Sequence, residues 1–192
     1  VVPHLNGANS DIINIKNKLD EYNKEKSKIF LIEDCAVSLG AKINKKNVGT
    51  FGDFSFLSFN IMKNITSYTG GALIDNQKTI KFDNFKYRSL SKIDILKKTI
   101  FILIIQLLNT KLIFPLFFKF IKFSYKYSFN FFLKKYRTDF EVKIENSFPS
   151  RFCFLMHDFQ KKILLDQFKD IKTKQTNRTD KSKFYYDSLK KI

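Results

Sequence analysis

Apolar residues near the start of the chain recur at the spacing of an amphipathic helix. Ile12, Ile15, Leu19 and Tyr22 stand three or four positions apart, with mostly polar residues between them. This spacing places them on one helical face and predicts a helix over 11–22. Ser10 stands directly before the helix, where a side-chain oxygen can cap the first free backbone amides.

Short apolar runs without helical spacing predict buried strands. These runs lie at 1–2, 29–32, 54–58 and 72–74. Strands that alternate with a helix and short connectors indicate an α/β domain, with a mostly parallel sheet and flanking helices. Ligands bind such sheets at the carboxyl ends of strands, where Asp34 and Ser58 are expected to lie.

Between residues 93 and 135 the chain becomes apolar, with lysines interleaved. The run 99–108 is almost wholly apolar, and 112–118 continues it around Pro115. Neither run reaches the ~18 apolar residues of a transmembrane helix, and the proline interrupts the second run. Two interpretations stay open: a helical insertion packed on the domain or on a dimer partner, and a basic aromatic surface over 99–133 in a membrane interface.

Helical spacing returns towards the end of the chain. The apolar positions that follow His157 are Phe159, Ile163, Leu164, Phe168 and Ile171, and the pattern resumes at Tyr185 and Leu189. Within 151–192 we predict one long helix, or two in succession, with His157 at the start.

The composition limits the class of protein. The 192 residues, of which 44% are hydrophobic, suit one domain with a real core. Because the chain opens without Met inside an apolar run, we expect a fragment of a longer protein.

The net charge of +17 favours anionic partners, but no nucleic-acid-binding motif is present, so nucleic acid is not an expected partner. Cys35 and Cys153 lack zinc-site spacing, which favours the reducing cytoplasm.

One lysine has a setting that suits covalent chemistry. Lys63 stands in a short loop after the strand 54–58 and before Gly70-Gly71. A lysine in a half-buried loop loses solvation, which favours the neutral amine that forms a Schiff base with a carbonyl. Asp34 suits a carboxylate that keeps the ring nitrogen of pyridoxal phosphate protonated, and Ser58 suits a donor to the cofactor phosphate. Each residue alone is more often an ordinary loop residue, so the prediction depends on their order and spacing.

Three segments in this region carry a family resemblance. They are IEDCAVSLGA (32–41), VGTFGDFSFLSFNIMKNIT (48–66) and GGALI (70–74). In this order they resemble the DegT/StrS family of sugar-nucleotide aminotransferases, which are fold-type-I pyridoxal phosphate enzymes. PHLNG (3–7) is similar to an upstream family segment, and MHDFQ (156–160) to a later Gln-containing helix. The resemblance covers 1–88 well and 151–192 loosely.

The resemblance implies roles for the site residues. Lys63 holds the cofactor covalently and then shuttles protons, Asp34 pairs with the pyridine nitrogen, and Ser58 contacts the phosphate. Gly70 and Gly71 keep the chain close-packed beside the lysine loop. The whole of 1–192 is expected to be part of the large domain, with 93–135 as an insertion and 151–192 leading to a small domain.

Two positions depart from the family pattern. The family usually has Gln or His three residues after the aspartate, near the cofactor ring, where this chain has Val37, which cannot hydrogen-bond. The asparagine that the family lends across the dimer to the phosphate aligns nearest to Cys153. These departures bear on cofactor affinity and activity, and not on fold.

By resemblance, the chain is expected to move an amino group, from glutamate, to a keto-deoxy sugar nucleotide for cell-surface polysaccharide or glycan synthesis. A homodimer in the cytoplasm is expected, while peripheral contact at the inner membrane face through 99–133 stays one of the two open interpretations of that stretch. One alternative is a non-catalytic regulatory or membrane-associated member of the same fold. Another is a pyridoxal phosphate-dependent sugar dehydratase, in which histidine replaces the lysine, so Lys63 argues against it.

The roles of the two histidines stay open. His4 either approaches the active site or is a satisfied histidine at a strand end. Neither His4 nor His157 has other potential metal ligands near it in the sequence.

Overall fold

The computed structural model describes residues 1–5, 9–61, 63–81, 87–88, 91–126 and 154–190. The chain divides into two compact units, one made of 1–85 and 156–192 and the other of 86–155.

The first unit is built on a sheet whose strands carry the predicted site residues. The strands are β1 (Val2–Pro3), β2 (Ile32–Asp34), β3 (Lys42–Ile43), β4 (Lys46–Asn47), β5 (Phe54–Ser58) and β6 (Gly71–Asp75). The main sheet has the order β1-β2-β5-β6, while β3 and β4 form a separate hairpin. Strands β1, β2 and β5 run parallel, and β6 runs antiparallel to β5. The predicted α/β fold with a mostly parallel sheet is therefore confirmed.

Helices flank this sheet and make up the second unit. They are α1 (Ile12–Glu25), α2 (Lys92–Leu108), α3 (Phe114–Lys126), α4 (Asp158–Lys169) and α5 (Ile171–Leu189). Of the two alternatives for the end of the chain, two helices in succession is the observed one. His157 caps α4 as predicted, because its Nδ1 accepts a hydrogen bond from Phe159 N at 3.2 Å.

The second strand begins three residues later than its apolar run predicts. The Asn23 side chain binds both backbone groups of Ile29, at 2.8 and 2.9 Å. Leu31 N then donates to the Asp53 carboxylate at 2.7 Å. Side chains therefore bind the backbone of Ile29 and the amide of Leu31, where a neighbouring strand would otherwise do so, and Ile29 and Phe30 are exposed.

The prediction that Ser10 caps α1 is wrong. Asp11 occupies the cap position and makes no side-chain cap bond. The Ser10 hydroxyl donates instead to Pro3 O, and Ser10 N donates to His4 Nδ1 at 3.3 Å. Ser10 therefore fastens the segment before α1 to the end of β1.

A small apolar core joins α4 to the sheet. Phe59, Ile65 and Leu164 are its buried members. The partly buried side chains packed against it are Leu39, Leu57, Ala72, Met156, Phe168 and Ile171. Because this core includes residues from the loop after β5, it fixes the segment that contains Lys63.

In the second unit, Ser91 caps α2 by accepting a hydrogen bond from Asp94 N at 3.1 Å. Pro115 lies in the first turn of α3, where its missing N–H leaves no helical bond unmade. Both helices leave many large apolar side chains exposed. Within the described ranges, no helix combines the length and apolar character that crossing a membrane requires.

Candidate active site

Asp34 and Ser58 lie where the sequence predicts them, at the carboxyl ends of neighbouring parallel strands. Asp34 is the last residue of β2 and pairs in register with Phe56 of β5, which ends at Ser58. Asp34 Oδ1 accepts a hydrogen bond from Ala36 N at 2.9 Å. Among the described residues, Asp34 Oδ2 accepts no hydrogen bond, so this oxygen is available to a ligand.

The turn after β2 contains an apolar side chain, Val37, and a polar side chain, Ser38. Val37 is 39% exposed, whereas Ser38 is buried, with only 5% of its surface accessible. The Ser38 hydroxyl makes no hydrogen bond of normal geometry among the described residues, and the Cys35 thiol that it influences is a weak partner. A buried hydroxyl without a good partner is costly, so Ser38 is a natural contact for a ligand.

Lys63 lies in a compact loop, here called the lysine loop, that covers 59–70. Phe59 N donates to Gly70 O at 2.9 Å, which closes the loop at its base. Lys63 N donates to Asn60 O at 3.0 Å and forms a turn within the loop. The Lys63 side chain is half-buried, as predicted.

Gly70 and Gly71 return the lysine loop to the sheet. Gly70 has a φ of +94°, which glycine adopts without strain, and a Cβ there would meet the Met156 methyl group at 2.9 Å. A Cβ on Gly71 would lie 2.5 Å from Leu57 O, on the paired strand. The close packing that the resemblance implies for these glycines therefore has a steric basis.

Two glutamines of α4 clamp the lysine loop. Gln167 Nε2 donates to Thr66 O at 2.7 Å, and its Oε1 accepts from Thr66 N at 3.2 Å. Gln160 Nε2 donates to Ser67 O at 3.1 Å and to Thr69 Oγ1 at 3.0 Å. The clamp and the apolar core together fix the loop backbone around Lys63. Sequence reasoning singled out Gln160 only through the family resemblance and missed Gln167.

We expect Gln167→Leu to loosen the lysine loop and to lower stability by about 1–2 kcal/mol. The leucine fills similar space but leaves both polar backbone groups of Thr66 without a partner. Amide hydrogen exchange would measure faster exchange at Thr66, and urea unfolding would give the stability. Lys162→Leu, at an exposed position on the same helix, is the control and should shift stability by less than about 0.5 kcal/mol. Unchanged protection of the loop in Gln167→Leu would show that the clamp does not hold it.

A cleft of about 880 Å³ gathers most of these groups. Val37, Ser38, Ser58 and Lys63 all line it. Asp34 stands at the neighbouring strand end but is not among the lining residues. Helix α5 contributes the remaining polar lining through Gln175, Arg178, Thr179, Ser182, Lys183 and Tyr186. No pattern in the sequence marks this face of α5, because its contacts depend on how the helix packs.

A buried carboxylate next to Asp34 supports the site from behind. Glu33 is fully buried and accepts hydrogen bonds from the backbone amides of Gly49, Phe51 and Gly52 at 2.6–2.8 Å. His4, also fully buried, donates from Nε2 to Glu33 Oε2 at 3.0 Å. Of the two roles considered for His4, the satisfied histidine at a strand end is the observed one.

Cys35 completes a cluster behind the sheet edge that the sequence did not show. One possible ligand atom from each of His4, Glu33 and Cys35 lies within 4.8 Å of the others. The prediction that His4 has no other potential metal ligand near it is therefore wrong. Burial raises the pKa of the Cys35 thiol to about 11. At neutral pH the thiol is therefore protonated, and the Glu33 oxygens are engaged by the four donors, so hydrogen bonding accounts for this arrangement.

The position Cys153, which aligns nearest to the family's asparagine, lies outside the described residues, as do Asn6 and Gly7 of the PHLNG segment. Within the described part of the site, the structure brings together Lys63, Ser58 and Val37, with Asp34 at the adjoining strand end.

Comparisons with known proteins identify relatives of the chain. The chain is 42% identical over 77 residues to a GDP-perosamine synthase of Vibrio cholerae, a match that covers 40% of this chain and 20% of the relative. It is 50% identical over 52 residues to the GDP-perosamine synthase of Escherichia coli O157:H7, covering 27% of this chain and 14% of the relative. The matched segments thus span about a fifth or less of these curated relatives.

Among solved structures, the chain is similar to PseC of Helicobacter pylori, an aminotransferase involved in the biosynthesis of pseudoaminic acid. The match has 24% identity and a TM-score of 0.36, and it covers 40% of this chain and 19% of that one. The sequence profile of one family covers residues 1–98, half of the chain, including both strand ends and the lysine loop. The chain therefore belongs to the DegT/DnrJ/EryC1/StrS aminotransferase family.

Proposed function

We propose that this chain is part of the large domain of a pyridoxal phosphate-dependent enzyme that moves an amino group from glutamate to a keto-deoxy sugar nucleotide. The product would serve cell-surface polysaccharide or glycan synthesis. The observation that supports this most directly is the meeting of Lys63, Ser58 and the unpartnered Ser38 hydroxyl in one cleft at the ends of β2 and β5. Aminotransferases of the family depend on pyridoxal phosphate.

The residues of the cleft fit this cofactor. The Ser38 hydroxyl is buried and lacks a good partner, and it lines the cleft beside Ser58 and Lys63. Hydroxyl and ammonium groups are donors that suit a phosphate, and an amine suits an aldehyde. Val37 offers an apolar contact for a ring, in place of the polar residue that the family usually has there.

When bound, pyridoxal phosphate supplies an aldehyde that bonds to amines and a ring that withdraws electrons from the attached carbon. Lys63 would hold it through Nζ and, once released, carry a proton on the same atom. The Asp34 carboxylate would keep a proton on the ring nitrogen through Oδ2. Ser58 and Ser38 would donate their hydroxyl hydrogens to the phosphate. The rigid loop and strand ends would hold these groups in place before substrate arrives.

Cofactor uptake by the full-length protein tests this proposal. Titration with pyridoxal phosphate should produce a visible absorption band, and added glutamate should bleach it as the amino group is transferred. The control is pyridoxal without phosphate, which should bind much more weakly because the hydroxyl donors then have no anion to bind. A full-length protein that keeps no visible absorption band after incubation with saturating cofactor and dialysis of the free cofactor would refute the proposal.

We also propose that the protein works as a homodimer in the cytoplasm. A free, buried Cys35 is typical of a reducing compartment. Large side chains at the end of α5 form an exposed apolar group that a partner subunit could cover. They are Phe184, Tyr185 and Leu189. Light scattering at twice the mass of one chain would support the dimer, and a monomer at micromolar concentration would refute it.

The helices within 93–135 support a further proposal, peripheral contact with an anionic membrane by an insertion in the large domain. Large apolar side chains of α2 and α3 are exposed beside lysines, a combination typical of helices that lie in a membrane interface. The exposed apolar positions on α3 include Leu116, Phe118 and Phe120, and its lysines include Lys119 and Lys122.

Vesicle sedimentation tests this contact. The full-length protein should bind phosphatidylglycerol vesicles and bind phosphatidylcholine vesicles far less, because each basic residue near an anionic surface adds about 1 kcal/mol. The double variant Leu116→Ser with Phe120→Ser should bind less, while Leu165→Ser, at an exposed apolar position on α4, is the matched control. Equal binding of both lipids would contradict the proposal. Vesicle binding without any cofactor uptake would favour the non-catalytic alternative.

A further inference from the structure

Helix α5 presents two cations to the cleft that the proposed chemistry does not use. Arg178 and Lys183 line the cleft, and Thr179 and Ser182 lie between them on the same helical face. Across the described ranges, neither cation forms an ion pair or a side-chain hydrogen bond. Two unpaired cations and two hydroxyls on one face form a cluster of donors without a protein acceptor.

The rest of the cleft has the same character. Lys63 and the unpartnered, buried Ser38 hydroxyl lie on its other elements. None of the described lining residues is acidic. Guanidinium, ammonium and hydroxyl groups are hydrogen-bond donors that bind phosphate oxygens strongly when the donor is charged. The ligand that fits this lining is therefore an anion with several phosphate oxygens.

We propose that Arg178 and Lys183 form a subsite on α5 for the diphosphate of the nucleotide-linked substrate, a proposal that rests on the proposed function for the substrate class. The strand-end hydroxyls of Ser58 and Ser38 belong to different elements and are assigned to the cofactor phosphate. A cleft of about 880 Å³ is near the upper end for ligand sites, which suits a substrate bound beside a cofactor. Tyr186, on the same face of α5, offers a ring against which a base can stack.

Calorimetric titration of the full-length protein with inorganic pyrophosphate tests the subsite at fixed ionic strength. Arg178→Gln and Lys183→Gln should each weaken binding about 10-fold, since each removes a charged donor to the anion. Both positions are exposed, so the variants should keep the wild-type circular dichroism spectrum. Lys181→Gln is the control, because Lys181 is an exposed cation on the same helix that does not line the cleft. Its affinity should stay within about twofold of wild type.

A second titration, with pyridoxal phosphate already bound, distinguishes the two phosphates. Pyrophosphate should still bind, and Arg178→Gln should leave cofactor uptake unchanged. If pyrophosphate displaces the cofactor and Arg178→Gln weakens both ligands equally, the two cations serve the cofactor phosphate and the proposal is overturned. Equal weakening by Lys181→Gln would also overturn it, because the binding would then reflect the overall positive charge. Pyrophosphate binding through α5 in a protein that never takes up cofactor would support the subsite and refute the proposed function.

Discussion

Lys63→Ala is expected to abolish the visible cofactor band of the full-length protein and to slow amino transfer at least ~1,000-fold. In the proposed function one side chain provides both the covalent hold on the cofactor and the proton transfer, and general acid–base catalysis alone contributes about 10²–10⁴-fold. The Lys63 side chain makes no hydrogen bond among the described residues, so its removal should not unfold the protein. Absorption spectra and glutamate-dependent rates would measure the two effects.

Lys24→Ala is the matched control, because Lys24 is an exposed lysine on α1, away from the cleft residues. It should keep both the band and the rate of the wild type. A Lys63→Ala protein that retains the cofactor band after dialysis, and transfers amino groups at the wild-type rate, would remove Lys63 from the mechanism. It would also leave the cleft without a covalent anchor for the cofactor.

Glu33→Ala is expected to have the largest effect on stability, a loss of about 3–5 kcal/mol, because several buried donors lose their acceptor at about 1–3 kcal/mol each. The alanine would leave the amides of Gly49, Phe51 and Gly52 without acceptors and His4 Nε2 without its partner. Each unsatisfied buried donor is costly. Urea unfolding followed by circular dichroism would measure the loss as a lower midpoint.

An exposed glutamate provides the comparison for Glu33. Glu25→Ala, at the last residue of α1, should change stability by less than about 0.5 kcal/mol. Glu33→Gln should fall between the two alanine variants, because it keeps one carbonyl acceptor but turns an NH₂ group towards donors. If Glu33→Ala unfolds at the wild-type midpoint, the network around Glu33 contributes nothing to stability.

The sequence predicts the strand ends well because the signal there is local. A buried strand reads as an apolar run, and the rule on carboxyl ends then places Asp34 and Ser58 without further information. The half-buried setting of Lys63 follows from its place between β5 and two glycines. The predicted start of β2 was three residues too early, because the side chains of Asn23 and Asp53 bind backbone groups of Ile29 and Leu31. The spacing of apolar residues does not indicate such bonds.

The supports of the site could not be predicted in the same way. Glu33 stands beside Asp34, yet successive side chains of a strand point to opposite faces, so the two carboxylates have different tasks. The donors to Glu33 come from 16 or more residues away. Gln167 and Arg178 lie on helices whose polar faces look like ordinary solvated surface. What each of these two side chains faces becomes apparent only when the packing of α4 and α5 is known.

The clamp on the lysine loop has a consequence for the order of events during synthesis. Thr66 is held by Gln167, 101 residues further along the chain. A ribosome therefore releases β5, the lysine loop and β6 well before α4 exists to anchor them. Contacts between such distant segments form late, because a long loop must close first. The nascent chain can pair its strands early, but Lys63 acquires a fixed position only after α4 emerges.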